Sequence, residues 1–191
     1  AYKAADGWSN YADKIVGYDF EKGEIVPDAP ASPANNEIWY TTTDGDMAEI
    51  KEHIYRIYPY TQFYDEEKEV FVIRFEDSVA HLYSEGIFST YNSNVKTITL
   101  PNSITYLPSY DFALLRSLTN ITIPDGVEEI DYSAFYGCSN LTEITIPNSV
   151  TIIGEKTFED CSSLANVVLG NSVKTIGAGA FRNCTSGMNI N

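Results

Sequence analysis

The chain is poor in the residue types from which reactive sites are usually built. In 191 residues it has three cysteines, two histidines and two methionines, and 27 Asp and Glu outnumber 12 Lys and Arg, a formal charge of −15. Nucleic-acid recognition needs Lys and Arg clustered on one face, so the charge argues against a nucleic-acid partner. No apolar run approaches the roughly 20 residues of a membrane-spanning helix, so no span is expected. His53 and His81 stand without a nucleophile at a recognisable spacing. A triad needs nucleophile, base and orienting group to converge, so no catalytic residue is expected. Cys138, Cys161 and Cys184 are 23 residues apart, unlike the short ligand loops of zinc sites, and their number is odd. Stacked Cβ atoms near 4.8 Å would also lie beyond the roughly 3.5–4.5 Å of a disulfide, which leaves buried free thiols acting as small core hydrophobes. No metal and no cofactor is expected. An initiator Met and a signal or transit segment are absent too, which reads as a mature or excised piece.

What remains is a chain with 43% hydrophobic and 20% charged residues, which excludes global disorder. Its length suffices for one domain, or one domain with an appendage. Its second half is periodic. Phe112, Phe135, Phe158 and Phe181 recur every 23 residues, as do Val95, Leu118, Leu141 and Leu164, and the cysteines share the interval, with Leu115 one coil earlier in their column. Ile98, Ile121, Ile144 and Val167 form another column, followed by Leu100, Ile123, Ile146 and Leu169, then by Pro101, Pro124, Pro147 and Gly170. So many coincident columns identify a repeat architecture.

Each repeat reads as one physical unit. Ile144 and Ile146 alternate with Glu143 and Thr145, the period-two pattern of a strand. Pro147-Asn148-Ser149 is turn chemistry, and Val150 and Ile153 return to the interior along the second side of the coil. Phe158 and Cys161 are three apart, so a short helical turn would bury both on one face. A single coil cannot bury both its faces, whereas stacked coils bury these columns against each other. A less regular coil is expected over Val70 to Asn94, with Ile73, Phe75, Val79, Leu82 and Phe88 in the same roles, and Gly187 to Asn191 enters a further one.

The run L-T-E-I-T-I-P-N-S-V-T-I-I-G-E-K-T-F-E-D-C-S-S resembles the BspA-like leucine-rich repeat of bacterial surface proteins, over roughly Val70 to Asn191. The resemblance implies an α/β repeat: a right-handed solenoid with a parallel sheet along one side, about five coils of 23 residues spanning roughly 24 Å. It also implies that residues 1–20 are similar to the segment that closes such solenoids at their C-terminal end, with Trp8, Tyr11, Ala12 and Ile15 at helical spacing. Residues 21–36, with Pro27, Pro30 and Pro33, read as an extended linker. Residues 37–69 read as an N-terminal cap: a strand ending at Gly45, a helix carrying Met47, Ile50, Ile54 and Ile57 with Asp46 as its N-cap, and a hairpin from Thr61 through an acidic turn into Val70–Phe75. Such a cap covers a first strand that would otherwise be a bare sheet edge. The solenoid occupies residues 70–191.

The outward-facing columns are the expected binding face: Thr97, Asn120, Glu143 and Asn166, then Thr99, Thr122, Thr145 and Val168, with Arg74 at the upstream end. A threonine row suits a solvated strand by β propensity alone, and it also makes a regular polar ladder of the kind through which repeat folds bind. Tyr55, Tyr58, Tyr60, Phe63, Tyr64 and Trp39 are read as covering the first coil. The acidic runs Asp65-Glu66-Glu67 and Asp125, Glu128, Glu129, Asp131 lack calcium-loop spacing and are read as solvated turns. Asn-x-Thr triplets at Asn120, Asn140 and Asn183 follow from the repeat consensus. The expectation is a non-catalytic module of a secreted or cell-surface bacterial protein, acting in adhesion to a host or matrix protein or glycan. A structural spacer is the alternative, and an uncharacterised hydrolase a distant third. Residues 1–20 are expected to be able to dock on the final coil of a neighbouring molecule.

Overall fold

The computed structural model describes residues 18–19, 24–25, 33–51, 60–80, 82, 86–88, 94–185 and 187–191. Two compact units result, Ala1–Ser32 and Pro33–Asn191. In the first, β1 (Tyr18–Asp19) pairs antiparallel with β2 (Glu24–Ile25), Tyr18 lying opposite Ile25. This pairing straddles the expected boundary at residue 20, so the segment read as a linker opens inside a two-strand pairing. The helical face of Trp8, Tyr11, Ala12 and Ile15 falls outside the described residues, as do His53 and His81.

The second unit begins with an antiparallel cap. Its strands are β3 (Glu37–Thr42), β4 (Tyr60–Asp65) and β5 (Val70–Phe75). The β4–β5 hairpin is the expected one. Asp65 builds its turn, Oδ1 accepting the N–H groups of Glu67 and Lys68 at 3.1 Å while Lys68 pairs with the other oxygen, and Glu69 turns the corner at φ 55°. Four consecutive buried residues, Glu37 to Tyr40, place β3 at the centre, antiparallel both to β5 and to β6 (Val95–Thr99). A strand covered on both faces belongs in the middle of a sheet. This corrects the strand of the coil expected over Val70 to Asn94, since β5 joins the cap sheet. The Thr105 N–H donates to Ala80 as the Glu128 N–H does to Thr105, and Val79, Leu82 and Phe88 are buried as expected. The cap helix is also corrected over its described part. Residues 46–51 are non-helical, with Ile50 bridged to Phe88, the Lys51 N–H donating to Ile87 and the Ala48 N–H to the Tyr40 hydroxyl. Asp46 is not an N-cap; its own N–H donates to Asp44 Oδ1. Residues 52–59 lie outside the described set.

From β6 onward the chain is a solenoid of about four turns, each contributing one strand to each of two sides. The remaining strands are β7 (Tyr106–Leu107), β8 (Asn120–Thr122), β9 (Glu129–Ile130), β10 (Glu143–Thr145), β11 (Ile152–Ile153), β12 (Asn166–Val168), β13 (Thr175–Ile176) and β14 (Asn189–Ile190). Beside the expected parallel sheet runs a second parallel ladder, β7-β9-β11-β13, built from the residues after the turns at Pro101, Pro124, Pro147 and Gly170. The periodic columns are the core: Phe112, Phe135, Phe158, Leu118, Leu141, Leu164, Cys138 and Cys161 are fully buried. The four phenylalanine rings stack with centroids 5.2–5.3 Å apart.

The third side of each coil is not the helical turn expected for Phe158 and Cys161. Every coil instead places left-handed residues four apart: Tyr110 and Leu114, Ser133 and Gly137, Lys156 and Asp160, Gly179 and Asn183. Around these residues every second N–H points toward the next coil, as in Lys156 to Ala178, Phe158 to Ala180 and Asp160 to Arg182, at 2.7–3.1 Å. A helix would keep those bonds inside one coil. The stack uses them as cross-links between turns. Gly137 suits its place doubly, since a Cβ there would lie 2.8 Å from Leu114 Cδ2.

Candidate functional site: the open sheet face

The predicted face residues fall on one side of the sheet. Cross-strand register sets Thr97 opposite Asn120 and Thr99 opposite Thr122, and likewise Glu143 opposite Asn166 and Thr145 opposite Val168. Alternation turns Ile98, Ile121, Ile144 and Val167 inward from the same strands, where all are buried. Asn120, Thr122, Glu143, Thr145, Asn166 and Val168 are exposed, and Thr97 and Thr99 half-buried. Arg74 belongs to the same face through β3, where Glu37 lies opposite Arg74, Trp39 opposite Thr99 and Thr41 opposite Thr97.

β3 supplies residues that the column reading missed on this face. Glu37 is buried and holds two neighbours: Oε1 accepts from Arg74 Nε at 2.8 Å and Nη2 at 2.7 Å, and Oε2 accepts from the Trp39 indole N–H at 3.0 Å. Burial pushes the Glu37 carboxyl up, but the Trp39 and Arg74 hydrogen bonds outweigh it and hold the group below its ordinary value. Arg74 lies over the Phe63 ring, 4.7 Å from its centroid, and Lys68 lies 5.2 Å from that of Trp39. Trp39 is only 7% exposed, so it props the face rather than offering a bare ring. The Thr41 and Thr97 hydroxyls lie 2.7 Å apart and join the cap to the first coil. The missed signal was period-two alternation in E-I-W-Y-T-T, which puts Glu37, Trp39 and Thr41 on one face.

The face is not one continuous sheet. β4-β5-β3-β6-β8 form one ladder and β10-β12-β14 another. Between β8 and β10 lies a cleft of about 300 Å³ lined by Asn120, Thr122, Asp125, Glu143, Thr145 and Pro147, with Ile121, Ile123 and Ile144 beneath.

Other candidates resolve as structural. All three thiols are free, and each S–H donates to the carbonyl of a phenylalanine in the previous coil: Cys138 to Phe112, Cys161 to Phe135 and Cys184 to Phe158, at 3.1–3.2 Å. Burial pushes Cys138 up to about 12 and Cys184 up to about 11, so they stay protonated and unreactive at neutral pH. Asp131 corrects the solvated-turn reading of its acidic run. It is half-buried and accepts from the Tyr106 hydroxyl at 2.5 Å, the Ser109 hydroxyl at 2.8 Å and the Tyr132 N–H at 2.6 Å. Among the described residues no three His, Cys, Asp or Glu side chains converge as a metal site, and no helix is long and apolar enough to cross a membrane.

The model of the BspA type leucine-rich repeat region matches residues 83–191 in six copies. No curated protein matches the chain. Among solved structures it is similar to a leucine-rich repeat protein of T. pallidum, at 28% identity over 70% of this chain and 66% of that one, with a TM-score of 0.53. It is also similar to a leucine-rich repeat protein of Bacteroides ovatus (26% identity, 56% of this chain, 33% of that one, TM-score 0.46) and to the pneumococcal vaccine antigen PcpA (23%, 58%, 30%, 0.47). The chain thus spans just under two thirds of the T. pallidum protein and about a third of the other two. None of these comparisons indicates an enzyme family.

Proposed function

The chain belongs to the BspA-type leucine-rich repeat family, and from that premise we propose that it is a non-catalytic recognition module of a secreted or cell-surface bacterial protein, binding a host or matrix protein or glycan through its open sheet face. The observation that carries this reading is a row in two ladders, Thr97 and Thr99 in register with Asn120 and Thr122, then Glu143 and Thr145 in register with Asn166 and Val168, with Arg74 on the cap strand β5 at the upstream end. Strand-borne side chains lose little conformational freedom on binding, and an extended polar ladder suits a partner that makes many small contacts. At one end the Glu37 clamp fixes Arg74 before any partner arrives, which lowers the ordering cost of an arginine contact. The chemistry available is recognition: an inward-turned hydrophobic core, protonated thiols, and an outer face of hydroxyls, amides and carboxylates.

The test is binding of the purified chain to panels of matrix proteins and glycans, compared with variants carrying Thr99→Arg or Val168→Arg on the face and Thr151→Arg on the opposite side. Face variants should weaken binding at least about tenfold, and the opposite-side variant should leave it unchanged. If no panel member binds this chain while a neighbouring domain of the parent protein does bind, the module is a spacer.

A further inference from the structure

We propose that the cleft between β8 and β10 is a subsite for the hydroxyl groups of a neutral glycan. The inference rests on the reading of the open face as a recognition surface and names what one part of it takes.

The first observation is an interruption in the ladder. On the second side, β9 and β11 pair normally, Glu129 opposite Ile152 and Ile130 opposite Ile153, and on the third side the Phe135 N–H reaches Thr157. The same two coils fail to pair only on the open face, where β8 and β10 fall in separate sheets. At the flanking steps, the Thr119 N–H donates to Lys96 and the Ala165 N–H to Thr142, and on the downstream side the Ile146 N–H also donates to Val168, all at 2.8–2.9 Å. Among the described residues no such bond runs from Thr142 to Thr119 or from Ile123 to Thr145. One lip therefore offers a carbonyl at Thr119 and an N–H at Ile123, and the other an N–H at Thr142 and a carbonyl at Thr145.

Size and charge decide the occupant. Inserting a peptide strand would need about 9.6 Å, twice the strand spacing, but Cα atoms of β8 and β10 approach within 8 Å. A hydroxyl fits, and being donor and acceptor at once it can bridge an N–H on one lip to a carbonyl on the other. Asn120, Asp125 and Glu143 add the planar amide and carboxylates that grip adjacent hydroxyls. Asp125 and Glu143 with no Lys or Arg in the lining reject sialylated or sulfated ligands. A volume of about 300 Å³ is at the small end of ligand pockets, which suits the end of a glycan rather than a long stretch of polymer.

The experiment is titration of the intact chain with neutral hexose and N-acetylhexosamine oligosaccharides and with their sialylated and sulfated counterparts, read by calorimetry and by amide chemical shifts. The expected result is binding of a neutral oligosaccharide with shifts at Ile123 and Thr142. Acidic counterparts should bind at least about tenfold more weakly. Thr145→Trp, which fills the cleft from an exposed position, should raise Kd at least about tenfold, whereas Ile152→Trp, exposed on the second side of the coil and away from the face, should not; matching melting temperatures show both variants folded. No binding across the neutral panel overturns the inference, as does equal loss in both variants or preference for the acidic glycans. If a matrix protein binds through the face while the neutral glycans do not, the glycan subsite is wrong and the recognition face stands.

Discussion

The two ends of the sheet are stabilised by different means. In the coils, the residue above and the residue below do the same work: Phe135 stacks on Phe112 and Phe158, and the cysteines repeat one hydrogen bond to a phenylalanine carbonyl. In the cap each contact occurs once, with Glu37 holding Arg74 and Trp39, and with Gln62 donating to both Tyr40 and Ala48. A repeating region spreads its stability over equivalent interfaces, so a defect weakens two neighbours equally. A unique region concentrates it, and losing one partner strands another.

The largest effect is expected in the coils. Phe158 is fully buried between two stacked rings, so Phe158→Ala leaves a cavity shared by three coils and should cost about 3–5 kcal/mol in denaturant unfolding. The same change at Phe181, half-buried in the last coil, has a ring on one side only and should cost clearly less. Equal losses would show that the stack is not a chain of nearest-neighbour interfaces.

The cap counterpart is Arg74→Ala. It leaves the Glu37 carboxylate buried without its cation, and hydrogen bonds to charged groups contribute about 1.5–3 kcal/mol, which is the expected destabilisation at neutral pH. Because the folded-state value of Glu37 is depressed, its contribution is present above the ordinary carboxylate pKa and is lost as pH falls through the lowered one. Wild type and variant should therefore converge in strongly acidic solution. A gap unchanged by acid would remove Glu37 from the account.

That contrast also marks what could be read from residues alone. The coil interior was legible because period 23 forces like residues into one environment, and the columns named the buried phenylalanines, leucines and cysteines directly. The outward threonines followed from alternation. Three things were hidden. The left-handed pairs on the third side fall on Tyr110, Leu114, Ser133 and Lys156, none of which carries the glycine signature of that conformation; only Gly137, Gly179, Asn183 and Asp160 hint at it. β5 has the apolar look of a coil strand, but antiparallel pairing with β3 claims it. The β8–β10 cleft leaves no trace in composition, because Asn120, Thr122, Glu143 and Thr145 are typical of their columns.

Asp111 is where the two regions meet and conflict. It occupies the column of Ala134, Thr157 and Ala180, against the cap: a Cβ on Gly86 would lie 2.3 Å from its carbonyl oxygen. Thr157 satisfies that slot by donating to the Gly154 and Asp131 carbonyls. A carboxylate has no proton to donate, and both Asp111 oxygens are buried without a hydrogen-bond partner. Burial pushes its pKa well above the ordinary value, with the nearby Lys51 charge opposing only in part. Between the ordinary and the raised value the folded chain holds a proton that the unfolded chain releases, so stability falls as pH rises through that window. Asp111→Ala, matching Ala134 and Ala180, should add roughly 1–2 kcal/mol at neutral pH and flatten that slope, measured by melting across pH. A destabilised variant with the slope intact would show that Asp111 is satisfied in the folded chain.

The smallest effect is expected at Thr145→Ala. Its side chain is exposed on β10, beyond the reach of the stacked core, so the loss is confined to β propensity and should stay within about 0.5 kcal/mol or slightly above. This near-silence gives the substitution its use. A melting shift equal to that of Phe158→Ala would mean that inside and outside are inverted along the coil. A silent melt, set beside a change in oligosaccharide or protein binding, would separate what the threonine row does for partners from what it does for the fold, a separation that the cap does not permit at Arg74, whose clamp serves the sheet and the face together.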